Sequence, residues 1–219
     1  MRLLLVTQDF PPDTGGIQTY SAELSRHFHL LSEAFAVMAP RIDGCEALDR
    51  TLPYPVHRVP SSYDTFPFRS ISYLRRLMRR ERFDAAFHAQ WQTLISSSVT
   101  RFLTGQPKNI FAAAHGRELL LNPAGSVPLL NRGFDGLRRA LLRRSDRLFP
   151  VSRYTASLLE NDGVPADRID VVNNGTDPAR FHPADASDLR QSLGIAGCPT
   201  LLTVGRLVRR KGIDTVLEA

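Results

Sequence analysis

Short apolar runs alternate with segments of helical periodicity along most of the chain. The runs lie at Leu3–Thr7, Phe35–Ala39, Val56–Val59, Ala85–Ala89, Ile110–Ala114, Arg147–Val151, Ile169–Val172 and Leu201–Val204. Between many of them, apolar residues recur at i, i+3, i+4 and i+7, as in Ile17–Phe28, Ile71–Arg80, Leu94–Leu103, Leu137–Leu142 and Thr155–Leu159. A run that is apolar on both faces predicts a strand covered on both sides. Strands that alternate with helices predict βαβ units and a parallel sheet. The expected fold class is α/β, a doubly wound parallel sheet of Rossmann-like type.

Two stretches break the alternation. Residues 41–68 are rich in Pro, Asp, Tyr and Ser and read as irregular excursions around one strand. The segment Asp177–Pro183 is a second break, followed by a short helical pattern (Ser187–Leu193), a turn bounded by Gly and Pro, and the run TLLTVG. This predicts a first domain over 1–183, with 184–219 as a linker and the start of a second domain. One strand and part of a helix cannot bury a core, so the pattern predicts a longer parent protein.

Composition narrows the choice of partner. The chain has 219 residues and a net charge of +6. Lys108 and Lys211 are its only lysines, so the positive charge is almost all arginine. That balance points to anionic partners. Cys45 and Cys198 are far apart and have no metal-ligand neighbours, so they read as free thiols in a reducing compartment. The apolar run near the N-terminus is too short for a signal peptide, and no stretch approaches the roughly 20 apolar residues that span a bilayer. The expected location is cytoplasmic, with peripheral attachment to the inner face of the plasma membrane as an option. No zinc spacing, P-loop or RNA-binding aromatic motif is visible, so neither a metal nor a nucleic-acid partner is expected.

In an open parallel sheet, ligands sit beyond the carboxyl ends of the strands. Five polar motifs fall there: Gly15-Gly16, His115–Glu118, Val151–Thr155, Asn173–Asp177 and Gly205–Gly212. Gly15 and Gly16 open the first helix, where free N–H groups and the absence of Cβ atoms suit an anion or a sugar; a tight turn with no ligand is the plain alternative. The pattern is not GxGxxG, which disfavours a dehydrogenase. His115 could bond a sugar hydroxyl or a phosphate oxygen. Glu118 either caps the next segment or meets substrate, and Ser152 and Thr155 suit a helix cap. Arg206 and Lys211 flank a strand end and a helix start, where two cations would stabilise charge on a departing diphosphate; a solvated basic turn is the alternative. Arg75, Arg76, Arg79, Arg80 and Arg82 form one basic cluster, and Arg138, Arg139, Arg143 and Arg144 another. Each reads as a solvated helix face or as a surface for anionic lipid.

The stretches DFPPDTGGIQTY, AAHGRE, PVSRYTASLL, VVNNGTDPARFHP and TVGRLVRRKG occur in this order and span nearly the whole chain. Together they resemble the retaining glycosyltransferases of family 4, which have the GT-B fold. The opening stretch and RLVRRKG are most similar to the bacterial GDP-mannose-dependent phosphatidylinositol mannosyltransferases. The resemblance implies that the chain is the N-terminal, acceptor-binding half of a GT-B enzyme plus the start of its donor domain. It implies transfer of a hexose, with mannose the candidate, from a nucleotide-sugar to a lipid or glycan acceptor with retention, and no metal or other cofactor.

By the same resemblance, Gly15 and Gly16 lie beside the transferred sugar and the diphosphate. His115 contacts that sugar, and Arg206 and Lys211 hold the diphosphate. Asp9, Gln18 and Tyr20 are acceptor-side candidates, and Asn174 and Gly205 sit in matching segments. The family's Glu-rich donor-sugar motif has no counterpart before residue 219, so this chain is expected not to turn over alone. A Rossmann-like scaffold that binds an anion or a membrane without catalysis is the competing expectation.

Overall fold

The computed structural model describes residues 1–120, 128–205 and 207–218, with side chains at all of these except 117, 128–131 and 210. Its strands are β1 (Arg2–Val6), β2 (Ala34–Pro40), β3 (Val56–Val59), β4 (Ala85–His88), β5 (Asn109–Ala114) and β6 (Arg147–Pro150). All neighbours pair in parallel, in the order β3-β2-β1-β4-β5-β6. The helices in chain order are α1 (Gly16–Leu31), α2 (Cys45–Asp49), α3 (Phe66–Glu81), α4 (Leu94–Thr104), α5 (Arg117–Leu120), α6 (Pro128–Arg144), α7 (Arg153–Asn161), α8 (Ser187–Ser192) and α9 (Ile213–Glu218).

The two-residue period of the strands explains why both faces are covered. Leu3 and Leu5 of β1 join Phe35, Val37 and Phe87 in one cluster, with Leu24 and Phe28 of α1 packed against it. Leu4 and Val6 point the other way, into a cluster with Met38, Phe66, Leu74 and Leu77, the last three from α3. A third cluster gathers Ile110, Ala112 and Ala114 of β5 with Leu94, Leu141, Leu142 and Leu159 of α4, α6 and α7. Arg58 of β3 pins the loop that leads into α1. Its side chain is 7% exposed, pairs with Asp49 at 2.8 Å and donates to the Pro11 and Pro40 carbonyls at 2.8 and 3.1 Å.

The chain divides into two compact units, Met1–Asn174 and Gly175–Ala219. Two apolar runs expected to be strands differ. Ile169 forms a single bridge with Leu148, and Asp170 and Val172 donate backbone bonds to Leu148 and Pro150, so the segment lies along β6 without forming a full ladder. Leu201–Val204 is exposed and is not a strand, because among the described residues of its unit nothing pairs with it.

The second arginine cluster departs from a solvated or lipid-facing helix at Arg138, while Arg139, Arg143 and Arg144 stay exposed. Arg138 is 5% exposed and bonds Asp162, and Arg139 pairs with Asp162 at 3.0 Å. Arg143 donates to the Asp162 carbonyl at 2.7 Å. Three of the four arginines thus tie α6 to the end of α7. A sequence period shows which face a residue occupies, but not that an acid 24 residues away will meet it.

Candidate functional site

The strand order reverses direction between β1 and β4, and ligands of doubly wound sheets bind at such a switch point. Here the residues just after both strands meet. Gln90, after β4, turns its amide Nε2 onto Asp9 Oδ2, after β1. Its Oε1 accepts from the Gln8 backbone N–H at 3.2 Å, which fixes the amide orientation. Gln18 of α1 donates to Asp9 Oδ1 at 2.7 Å, and the Tyr63 hydroxyl reaches Oδ2 at 3.4 Å. Burial raises the Asp9 carboxyl above the ordinary value, while the bonds from Gln90 and Tyr63 favour its ionised form. Burial also pushes the Tyr63 phenol up to about 12, so it stays protonated and donates.

The glycines at the mouth of α1 have an answer in space rather than in backbone angle. Gly15 is extended (φ 164), which any residue adopts. A Cβ there would lie 2.4 Å from Gln18 Oε1 and push that side chain away from Asp9. A Cβ on Gly16 would meet nothing within 4 Å, so the first turn of α1 stays open. No side chain caps this helix end and its first turn carries no acid, so its first N–H groups and its dipole are uncompensated among the described residues.

Tyr20 of α1 meets the His115 ring edge to face, with centroids 4.7 Å apart at 88°. Burial lifts its phenol to about 12. His115 Nε2 lies 3.0 Å from the Ala89 carbonyl. A carbonyl only accepts, so Nε2 carries a proton and donates it, which turns Nδ1 toward the other side of the ring. Among the described residues Nδ1 has no partner. Glu118 has a structural task. Its Oε1 accepts the His115 backbone N–H at 2.6 Å, and its carbonyl accepts from Trp91 Nε1 at 3.3 Å. Gly116 (φ 89) needs to be glycine, since a Cβ would also come 3.0 Å from Thr155 Oγ1. Ser152 caps α7 by accepting from the Thr155 N–H, the plain role expected of it.

The structure therefore brings Asp9, Gly15, Gly16, Gln18, Tyr20, His115 and Glu118 to one edge of the first unit. Asn174 closes that unit as an exposed residue. Gly205 and Lys211 belong to the second unit, where a Cβ on Gly205 would approach Lys211 Cγ to 4.0 Å. Arg206 lies outside the described residues. Among the described residues no group of three His, Cys, Asp or Glu side chains could hold a metal ion.

Sequence reasoning missed Gln90, Tyr63 and His88. Gln90 does follow an apolar run, and a rule that put polar strand ends at the switch point would have found it, but that rule needs the strand order. His88 is fully buried between two hydroxyls, with Nδ1 2.8 Å from Thr93 Oγ1 and Nε2 2.8 Å from Ser97 Oγ. Thr93 in turn donates to the Gln90 carbonyl, so His88 braces the segment that holds Asp9.

Burial depresses the His88 pKa to about 3. Below the ordinary value of about 6.5, the unfolded chain gains a proton that the folded protein refuses, so stability falls with acid between those values. From pH 6.5 to 5 the wild-type protein is expected to lose about 1.6 kcal/mol more than His88→Gln. Urea unfolding of both proteins at the two pH values measures this, and equal losses would show that His88 ionises freely in the folded state.

The comparisons with known proteins agree with this picture. Residues 14–180 match the Glycosyltransferase Family 4 domain. A GDP-mannose-dependent alpha-(1-6)-phosphatidylinositol monomannoside mannosyltransferase of Mycobacterium tuberculosis is 33% identical over 228 aligned residues, covering 100% of this chain and 56% of the relative. The chain thus spans about half the length of the curated relatives it matches. Among solved structures, sucrose-phosphate synthase from Thermosynechococcus elongatus superposes with a TM-score of 0.73 at 16% identity, covering 100% of this chain and 59% of that one. A glycosyltransferase from Rickettsia africae gives 0.68 at 16% identity, covering 99% and 56%. At such identities the likeness speaks for the fold alone. With the family match across most of its length, the chain belongs to glycosyltransferase family 4.

Proposed function

We propose that the protein acts as a retaining hexosyltransferase that moves mannose from GDP-mannose to a phosphatidylinositol-type lipid acceptor. The observation that carries this reading is the arrangement at the switch point. An acid held by two amides, a histidine anchored through Nε2 to the Ala89 carbonyl and an uncapped helix start surround one edge of the sheet. Such a set suits a ligand with several hydroxyls and an anionic group. The mycobacterial relative supplies the donor and acceptor class.

In the transfer, the bond from C1 of the sugar to the diphosphate oxygen breaks. A bond from C1 to the acceptor oxygen forms on the same face, and the acceptor proton passes to the leaving phosphate. The first unit would hold the acceptor through Asp9, Gln18 and Tyr20 and the sugar through His115. Gly15 and Gly16 would lie beside the sugar and the diphosphate. Asn174 and Gly205 would line the donor side, and Arg206 and Lys211 would neutralise the diphosphate as its charge grows. No metal or other cofactor is required in this reading. Among the described residues no helix is long and apolar enough to cross a membrane. Attachment to the inner face of the plasma membrane would be peripheral, through exposed Arg76 and Arg80 of α3.

The test uses the complete gene product with GDP-mannose, UDP-glucose and UDP-N-acetylglucosamine, lipid extract as acceptor, and EDTA throughout. Release of GDP from GDP-mannose alone is expected, with kcat/KM about tenfold lower in Lys211→Ala. Release from none of the donors, together with no nucleotide binding by titration, would favour the scaffold reading.

A further inference from the structure

At the opposite edge of the sheet, where β4 and β5 begin, a cavity of about 660 Å³ opens between the C-terminal ends of α3 and α4. Arg79, Arg82 and Lys108 line it, with Asp84, Gln106 and Leu103. Its excess of positive charge is not spent inside the protein. Among the described residues, none of the three cations makes an ion pair or a side-chain hydrogen bond; all three are exposed, as are the equally unpaired Arg76, Arg80 and Arg153, but only these three converge on one cavity with a single acid. Asp84, the one acid present, uses Oδ2 to accept the Arg2 backbone N–H at 2.9 Å.

A helix C-terminus attracts cations through its dipole, and that suffices for Arg79 in the last turn of α3. It does not account for the other two. Lys108 stands on the approach to β5 rather than on a helix. Arg82 follows α3 with φ 49 and ψ 59, in the left-handed region. It is the one non-glycine residue with positive φ among the described residues. The neighbouring helix makes the same turn with Gly105 (φ 72), the residue that this conformation favours. Arg82 thus reaches the cavity that it lines from a backbone conformation that glycine adopts more readily.

We propose that this cavity is a second, anion-binding site that takes a phosphate group, separate from the switch-point site. Two guanidinium groups and an ammonium group match the charge and the multiple acceptor oxygens of a phosphate, and Leu103 offers an apolar wall to whatever the phosphate carries. The phosphate can belong to a soluble metabolite or to a lipid headgroup.

The experiment is a titration of the complete gene product with inorganic phosphate, followed by amide NMR at constant ionic strength, beside Arg82→Gly and Lys108→Gln. Saturable shifts at Arg82, Gly105 and Lys108 are expected, with affinity about tenfold weaker in each variant. Arg82→Gly separates binding from structure, because glycine relieves the left-handed backbone. Its melting temperature should equal or exceed that of the wild-type chain. Shifts matched by chloride, an affinity in both variants unchanged from the wild-type chain, or a drop of several degrees in Arg82→Gly would each overturn the site. Flotation with phosphatidylinositol vesicles and with phosphatidylcholine vesicles tells the two sources apart. Capture by the former, lost in Arg82→Gly, assigns a headgroup. Phosphate binding without capture assigns a soluble ligand.

Discussion

Replacing Asp162 with alanine is expected to cost about 3 kcal/mol of folding stability and roughly 6–12 °C in melting temperature. Asp162 is 7% exposed and follows α7, where the helix dipole disfavours an acid. Its position makes sense only with the cations of α6. Arg138, itself 5% exposed, donates Nε to Oδ2 at 3.3 Å, with Nη2 at 3.2 Å. The other acid near it is Asp135, whose Oδ1 sits 3.0 Å from Nη1 yet lacks hydrogen-bond geometry. That contact offers charge but does not satisfy the guanidinium. Alanine at 162 therefore leaves Arg138 buried with half its compensation, which is the expensive way to break a buried pair. Arg139 is half exposed and loses little. Thermal unfolding of the single variant and of Asp162→Ala/Arg138→Met measures the effect, and the double variant should recover much of the loss. A single-variant cost below about 1 kcal/mol would mean that water reaches the pair and that α6 is held by its leucines alone.

On the proposed reading, His115→Ala in the complete gene product is expected to lower kcat by about a hundredfold while KM for the donor changes little. The ring is held from two sides, by the Ala89 carbonyl and by the edge of Tyr20, so Nδ1 is presented in a fixed direction. A preorganised group of this kind acts mainly where charge and geometry change on the way to the transition state. Losing the aromatic contact costs on the order of 1 kcal/mol, too little to unfold the protein. Single-turnover rates with GDP-mannose would show the loss in the chemical step. A variant within twofold of wild type would reduce His115 to a packing partner of Tyr20.

The sheet was largely legible in the chain. Val56–Val59 is a strand as written, and the other sheet strands differ from their apolar runs by a residue or so at each end. The reason is physical for β1, β2 and β4: strands buried on both faces leave an almost uninterrupted apolar record, whereas edge strand β3 (VHRV) is marked only by its two valines. What was not legible is everything set by strand order. Asp9 and Gln90 are 81 residues apart, and only the crossover from β3 to β4 lays them side by side. Arg138 and Asp162 are hidden for the same reason, since a basic amphipathic helix looks alike whether its partner is water, lipid or a distant aspartate. The run at 201–204 shows the converse. Its composition is that of a strand, but a ladder needs a neighbour, and none is present among the described residues of its unit.

The side chains that hold Asp9 (Gln18, Tyr63 and Gln90) all come from the first 90 residues, within the unit that closes at Asn174. That arrangement has a consequence for inheritance. The network around Asp9 can pass between genes as one uninterrupted stretch of coding sequence, with no matching change elsewhere. A crossover near codon 175 would join it to a foreign second unit without breaking one of its bonds.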